Sequence, residues 1–452
     1  MREPGLELPS RRFRLAASLL PFAEVAHADL PLSRLLRLSL FQVSVGMAMV
    51  LLLGTLNRVM IVELGVPTML VAMMVSLPIL FAPFRALIGF KSDRHRSELG
   101  WRRVPYIWRG TMAQFGGFAV MPFALLVLAG AGQSHQAPLW VGHASAGVAF
   151  LLVGAGLHTV QTAGLALATD LTSEASKPKM VGLMYVTLLA GMALSAMLFG
   201  YLLEDYSHGR LIQVIQGAGV ATLVLNGIAI WKQEPRHRGP AVDSTEDAPR
   251  FWESIALMAP TPRQRTWLSI IFIGTLAFAM EDVLLEPYGG EILGLSVSET
   301  TRLTATLALG SLCGFWWASI RLSREGCPYR LTSLSAWVGV PSFALVILAA
   351  PLQADLVFSL SVFGIGLGAG LFGHGTLTAT IQAAPTGQSG LALGLWGALQ
   401  ATAAGLGLAL GGVLKDLAGH FLAAEFAYAL VYALELALLL YTCLLLRHFT
   451  RP

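Results

Sequence analysis

Apolar runs long enough to cross a bilayer recur about a dozen times along this chain, in two sets of six on either side of a charged middle segment. A bilayer core takes roughly 20 apolar residues per spanning helix. The first run, 38–56, carries no charge, and others follow at 66–84, 110–132, 144–169, 180–203 and 211–231. The pattern resumes at 266–280, 303–320, 331–352, 356–383, 387–414 and 423–446. In lipid each backbone N–H and C=O must be satisfied within its own segment, so such runs form helices; they are too long for barrel strands. Composition agrees: 55% of the 452 residues are hydrophobic and 12% charged, about half the charged fraction of a soluble domain. The expected fold class is an all-α membrane protein of 12 transmembrane helices. The basic N-terminal stretch leads into a long spanning segment without a small-residue cleavage site, so a removable signal peptide is not expected.

Orientation follows from the basic residues. With both termini in the cytoplasm, all of the 30 Lys and Arg except Arg58, Arg210, Arg302 and Lys415 lie on the cytoplasmic side, as the positive-inside rule requires. The net charge of +4 therefore reflects topology, and no nucleic-acid partner is expected. Residues 1–34 form an Arg-rich cytoplasmic segment in which Arg11, Arg12 and Arg14 precede Leu15, Leu19, Leu20 and Phe22. This suits an interfacial amphipathic helix, or equally a disordered tail with a few apolar residues. The expected division is then a six-helix bundle over 35–231, a Pro-rich cytoplasmic linker over 232–265, a second six-helix bundle over 266–447 and a tail over 448–452.

The halves echo each other. Gly154-Ala155-Gly156-Leu157 recurs as Gly368-Ala369-Gly370-Leu371, Glu204-Asp205 parallels Lys415-Asp416, and Glu63-Leu64-Gly65 has a looser echo in Glu291-Ile292-Leu293-Gly294. Their common order suggests a duplicated six-helix unit, as in the major facilitator architecture. Between the second and third helices, Arg85, Gly89, Asp93 and Arg94 followed by Trp101-Arg102-Arg103 resemble the loop motif of that superfamily. There the Asp can cap a helix end and pair with Arg to hold one conformation. An ordinary basic loop explains the Arg residues but not the spacing of Gly89 and Asp93.

Charges inside membrane segments are costly and face a cavity or a partner. Here they are few: Arg58 and Glu63 near the outer end of helix one, Glu281, Asp282 and Glu286 at the outer end of helix seven, and Glu425 and Glu435 in helix twelve. If helix seven continues that far, Asp282 and Glu286 share a face and could take a proton, bind a cation or pair with Arg58. The alternative is a solvated helix end closed by Pro287 and the following Gly pair. Two histidines also stand inside spans, His158 in helix four and His374 in helix ten. A neutral imidazole can supply the axial ligand of a chlorin's Mg; a hydrogen bond to a neighbouring helix is the plainer role. The glycine runs of helices ten and eleven suit close helix packing, or a flat macrocycle lying against them. Cys313, Cys327 and Cys443 form no close pair, so neither a disulfide framework nor a thiolate metal site is expected. No nucleotide-cradling loop, hydrolase His pair or activated nucleophile occurs, so the chain is not expected to be an enzyme.

The strings 35–47 and 53–64, then 81–90, 282–290 and 372–380, resemble the bacteriochlorophyll delivery family of phototrophic bacteria, the light-harvesting complex assembly proteins that include PucC and LhaA. The resemblance extends from about Leu30 to Leu446. It implies a major facilitator fold acting in antenna biogenesis, with bacteriochlorophyll as bound cargo and antenna α/β polypeptides as partners. The core antenna (LH1) is favoured over the peripheral one (LH2). It strengthens His374 as a pigment ligand, and His158 less. It also places the protein in the intracytoplasmic photosynthetic membrane, with the reaction centre core complex and pigment-synthesis enzymes as further partners. A proton-coupled transporter of a small hydrophobic molecule, or a pigment-free scaffold, remains open on the residues alone.

Overall fold

The computed structural model describes residues 31–77, 88, 92, 100–172, 177–235, 261–323, 326–383 and 389–450. Among them every regular element is helical and no strand forms. Helix α1 (Leu32–Met49) widens into a π-helical turn over Val50–Thr55, returns to α over Leu56–Arg58 and widens again over Val59–Glu63. Then come α2 (Thr68–Ser76), α3 (Val104–Leu128), α4 (Leu139–Asp170), α5 (Lys177–Leu202) and α6 (His208–Ile230). The second set opens with α7 (Pro262–Ala279), which breaks into a 3-10 turn over Glu281–Val283 and a short helical arm over Leu285–Glu291. It ends with α8 (Val297–Ser323), α9 (Pro328–Leu352), α10 (Asp355–Gln382), α11 (Ser389–Gly419) and α12 (Ala424–Thr450). By length and composition 11 of these are membrane spans; α2 is described only in part.

Three boundaries differ from expectation. α7 begins at Pro262 because Thr261 and Gln264 form a reciprocal capping box with proline in the first turn, satisfying two orphan N–H groups. Leu32–Arg34 belong to α1 rather than to the leader, and α12 continues through His448 to Thr450. The start of the middle segment is also fixed. Gln233 accepts from Arg34 Nε at 3.0 Å, and the Glu234 carboxylate takes the N–H groups of Arg102, Arg103 and Val104, capping α3. The N-terminal amphipathic segment and most of the linker lie outside the described residues.

Within the first half α1 packs on α5 and α6, and α3 on α4 and α6; within the second, α10 packs on α8 and α9, and α7 on α11 and α12. The halves meet through α5 with α8, α2 with α11, and the π-helical part of α1 with α8 and the α7 turn. Glycine sets the closest approaches, because without a Cβ two backbones can touch and gain van der Waals contact that lipid does not replace. A Cβ at Gly366 would stand 2.1 Å from the Leu307 carbonyl oxygen, and one at Gly370 2.2 Å from that of Ser311. The echoed Gly156 likewise meets the Gly110 carbonyl at 2.5 Å. Gly65 and Gly294, the other echoed glycines, both hold positive φ, at 63° and 67°.

Replacing Gly370 with Ala should lower the thermal midpoint of the detergent-solubilised protein, the overpacking costing about 1–3 kcal/mol. Gly116→Ala, where nothing lies within 4 Å of the new Cβ, should leave it unchanged or raise it slightly.

Candidate functional site

The two interrupted helices, α1 and α7, meet where both lose regular hydrogen bonding. Gly411 of α11 presses on the α7 backbone, a Cβ there falling 2.6 Å from the Met280 carbonyl oxygen. Past Met280 the chain turns through Glu281–Val283 and restarts as the short arm. Asn57 Nδ2 donates to Leu53 O at 3.0 Å and across the half boundary to Val283 O at 2.9 Å. Arg58, 3% exposed, pairs with Glu63 and donates through Nη2 to Leu295 O at 3.0 Å. Thr55 and Thr301 hydroxyls lie 3.2 Å apart. Glu286 accepts a hydrogen bond from Thr304, with its carboxylate against Gly54 in the π-helical turn. π-Helical segments of this kind often mark functional positions.

This arrangement corrects the expected geometry of helix seven. Its end is not solvated: Glu281 and Glu286 are each 2% exposed, and the arm packs against the end of α1 and against α8. Asp282 and Glu286 do not share the face of one continuous helix, since Asp282 lies in the 3-10 turn and Glu286 in the arm that restarts at Leu285. Pro287 and Gly289-Gly290 do not end the helix but sit within the arm, which lets the Arg58 guanidinium lie against Gly290. The ion-pair partner of Arg58 is Glu63, although Glu286 remains within its electrostatic reach.

Behind the break lies a group that the residue patterns left unassigned. Glu435 of α12 is fully buried and lies within electrostatic reach of Glu281 and Asp282. Tyr428, Tyr432 and Glu435 recur at helical spacing on one face of α12, a signal available in the sequence. Tyr432 and Tyr428 pack edge-on against Tyr288, with ring centroids 5.5 and 5.4 Å away, and Tyr288 donates to Val346 O at 2.9 Å. Tyr428 donates to Glu291 at 3.0 Å, and Glu291 also pairs with Lys415 at 3.6 Å. Lys415 donates to Thr68 Oγ1 at 3.0 Å, and Asp416 accepts the Met69 N–H at 2.5 Å, so α11 caps the first turn of α2 from the other half.

The histidines are not brought together: α4 and α10 form no extended contact. His158 is half-buried and takes part in an interaction of its own. His374 is half-buried, its Nδ1 has no hydrogen-bond partner, and its ring stands edge-on to Phe315 of α8 with centroids 4.3 Å apart. Beside it, Gly373 opens onto free space. Gly366 and Gly370 are taken up by α8, so of the glycines nearby it is Gly373 that leaves a face free. Arg85, Gly89, Asp93 and Arg94 of the loop motif lie outside the described residues. Their neighbour Arg103 donates to Ser92 Oγ at 2.6 Å and pairs with Asp170 at 3.0 Å.

Solved structures share this fold. A mutant form of the nucleoside transporter NupG aligns over 92% of this chain and 100% of its own, with TM-score 0.69 and 12% identity. A D-xylose-proton symporter aligns over 92% and 97%, with TM-score 0.68 and 16% identity. The protein is thus a multi-pass helical membrane protein of the major facilitator fold. Sequence narrows this further: a family described as PUCC protein matches residues 55–452. Protein PucC of Rhodovulum sulfidophilum is 61% identical over 399 residues, 88% of each chain, and Protein PucC of Rhodobacter capsulatus 58% over 406 residues, 89% of this chain and 88% of its own. The chain belongs to the PucC family.

Arg58→Met should destabilise the protein by roughly 1–3 kcal/mol, leaving the Leu295 carbonyl and Glu63 without their donor. Thermal unfolding in detergent measures this, and Glu63→Gln should cost less because that carboxylate is partly exposed.

Proposed function

We propose that the protein is an assembly factor for bacterial light-harvesting antenna complexes, delivering bacteriochlorophyll to antenna α/β polypeptides or chaperoning them into rings. Family membership across residues 55–452 carries this reading. The core antenna, LH1, is the favoured client over LH2, and the reaction centre core complex and pigment-synthesis enzymes are further proposed partners. The proposed site of action is the intracytoplasmic photosynthetic membrane, part of the bacterial inner membrane, with both termini cytoplasmic. The protein acts without catalysing a reaction.

The interior supports an apolar cargo. Arg58, Glu63, Glu286, Glu291 and Lys415 are engaged with protein partners, rather than lining a path for a polar solute. A chlorin with an isoprenoid tail dissolves in lipid and needs an apolar surface with one or two ligands. His374 fits that need: a half-buried imidazole with an aromatic edge beside it and an open glycine for a flat ring. The imidazole would hold the Mg, and Phe315 would fix its orientation. His158, already engaged, fits less well. A second reading, a proton-coupled transporter of a small hydrophobic molecule, draws on the buried carboxylates Glu281 and Glu286 and the half-buried Asp282.

Membranes from a strain lacking the protein, grown under phototrophic induction, should lose the near-infrared band of one antenna type while the reaction centre persists. Loss of the LH1 band supports the core-antenna client, and loss of the LH2 band alone moves it to the peripheral antenna. An unchanged spectrum, with no paralogue substituting, favours the transporter. His374→Phe should lose most of the pigment that copurifies with the wild type; unchanged retention in a folded variant removes His374 as ligand.

A further inference from the structure

We propose that Glu435 and Glu281, with the Tyr432 hydroxyl, form a proton-binding site at the break of α7. The site stands on its own geometry and does not depend on the pigment reading. Glu435 and Tyr432 are fully buried, and neither carboxylate oxygen of Glu435 nor the Tyr432 hydroxyl has a hydrogen-bond partner. Glu281 is 2% exposed with Oε2 also unpartnered. Glu435 lies within electrostatic reach of Glu281 and Asp282, and the Tyr432 phenol within that of Glu435 and Glu281. Buried polar atoms of α12 and of the α7 turn are thus left unpartnered in the interior, while Asp282 in the same turn is half-buried.

A buried carboxylate needs a counter-ion and hydrogen bonds to offset its lost hydration. Among the described residues no basic side chain supplies them. Arg58 is held by Glu63 and Leu295 O, and Lys415 by Glu291, Asp416 and Thr68. On the remaining sides, α9 presents Phe343 and the Val346 carbonyl. The arm presents Tyr288, which faces Glu425 and donates to Val346 O, and Glu286, which turns to Thr304. Tyr428 is spent on Glu291. Among the described residues no group of His, Cys, Asp or Glu is arranged to hold a metal ion. A proton is the counter-ion that fits: one from the aqueous phase adds to a carboxylate oxygen, giving a neutral carboxylic acid, with no other bond made or broken. Losing it places like charges between the α7 turn and α12. That turn carries the Val283 carbonyl held by Asn57, so occupancy bears directly on the junction between the halves.

Infrared spectra of the full-length protein in detergent at neutral pH test this. The wild type should show the C=O band of a buried protonated carboxyl that shifts in D2O and bleaches after a jump to high pH. Glu435→Gln should lose that band, and Glu281→Gln should shift it, while Glu286→Gln should leave it in place. A spectrum identical between wild type and Glu435→Gln overturns the proposal. If Glu435→Gln does not fold, wild-type protein carrying carboxyl-labelled glutamate decides: an isotope-shifted acid band that bleaches supports the site, and its absence at neutral pH overturns it.

Discussion

Two carbonyls, those of Val283 and Leu295, hold the molecule to its shape. Both belong to stretches of the α7 region that follow an interruption, where the helix no longer supplies its own donors. In an apolar bundle an unsatisfied backbone group costs several kcal/mol. The donors come from Asn57 and Arg58, which lie between the two π-helical stretches of α1. The break in one half is thus stabilised by side chains of the other. Neither interrupted helix keeps its geometry if the halves separate at this point, so local backbone structure and domain closure are one interaction.

That dependence has a direction. The described hydrogen bonds and ion pairs between the halves gather at the face where α1 ends. Besides those of Asn57 and Arg58 they include Ser298 to the Gly200 carbonyl at 2.7 Å, Asp416 to the Met69 N–H, and Lys415 to Thr68. Arg302 and Glu204 add an ion pair at 3.8 Å, but both are well exposed and the pair contributes little. At the opposite face the described polar contacts, Arg34 with Gln233, Glu234 with the start of α3 and Arg103 with Asp170, stay within the first half.

Much of this was legible in the residues. Helix number, the duplication and the rarity of mid-membrane charge follow from hydropathy and from strings as short as Gly154–Leu157 and Gly368–Leu371, because lipid enforces helix wherever an apolar run is long enough. The break in α7 was not legible. Glu281 to Gly290 read as an outer helix end, since nothing local distinguishes a carboxylate that meets water from one covered by Gly54 and Thr304 of distant segments. Glu435 had no assignable role for a related reason: an acid in an apolar helix acquires meaning only when the α7 turn comes within its electrostatic reach. The glycines of α10 were ambiguous until α8 was seen to occupy Gly366 and Gly370, leaving Gly373 open.

Under the proposed assembly role, the looseness of the His374 site is informative. A metal-ligating histidine is ordinarily held by a hydrogen bond from its second nitrogen, which fixes the ring and strengthens the ligand. At His374 Nδ1 has no such partner; only the Phe315 edge orients the ring. A permanent pigment-binding protein would gain from the missing bond, whereas a carrier that must release its pigment to an antenna polypeptide would be hindered by it. The same logic separates the two polar regions of the bundle. The α1–α7 junction satisfies its exposed carbonyls with side chains of the opposite half and is suited to hold a conformation, while the open face beside Gly373 is suited to hold a ligand briefly. A delivery cycle needs both, and the chain keeps them on different helices.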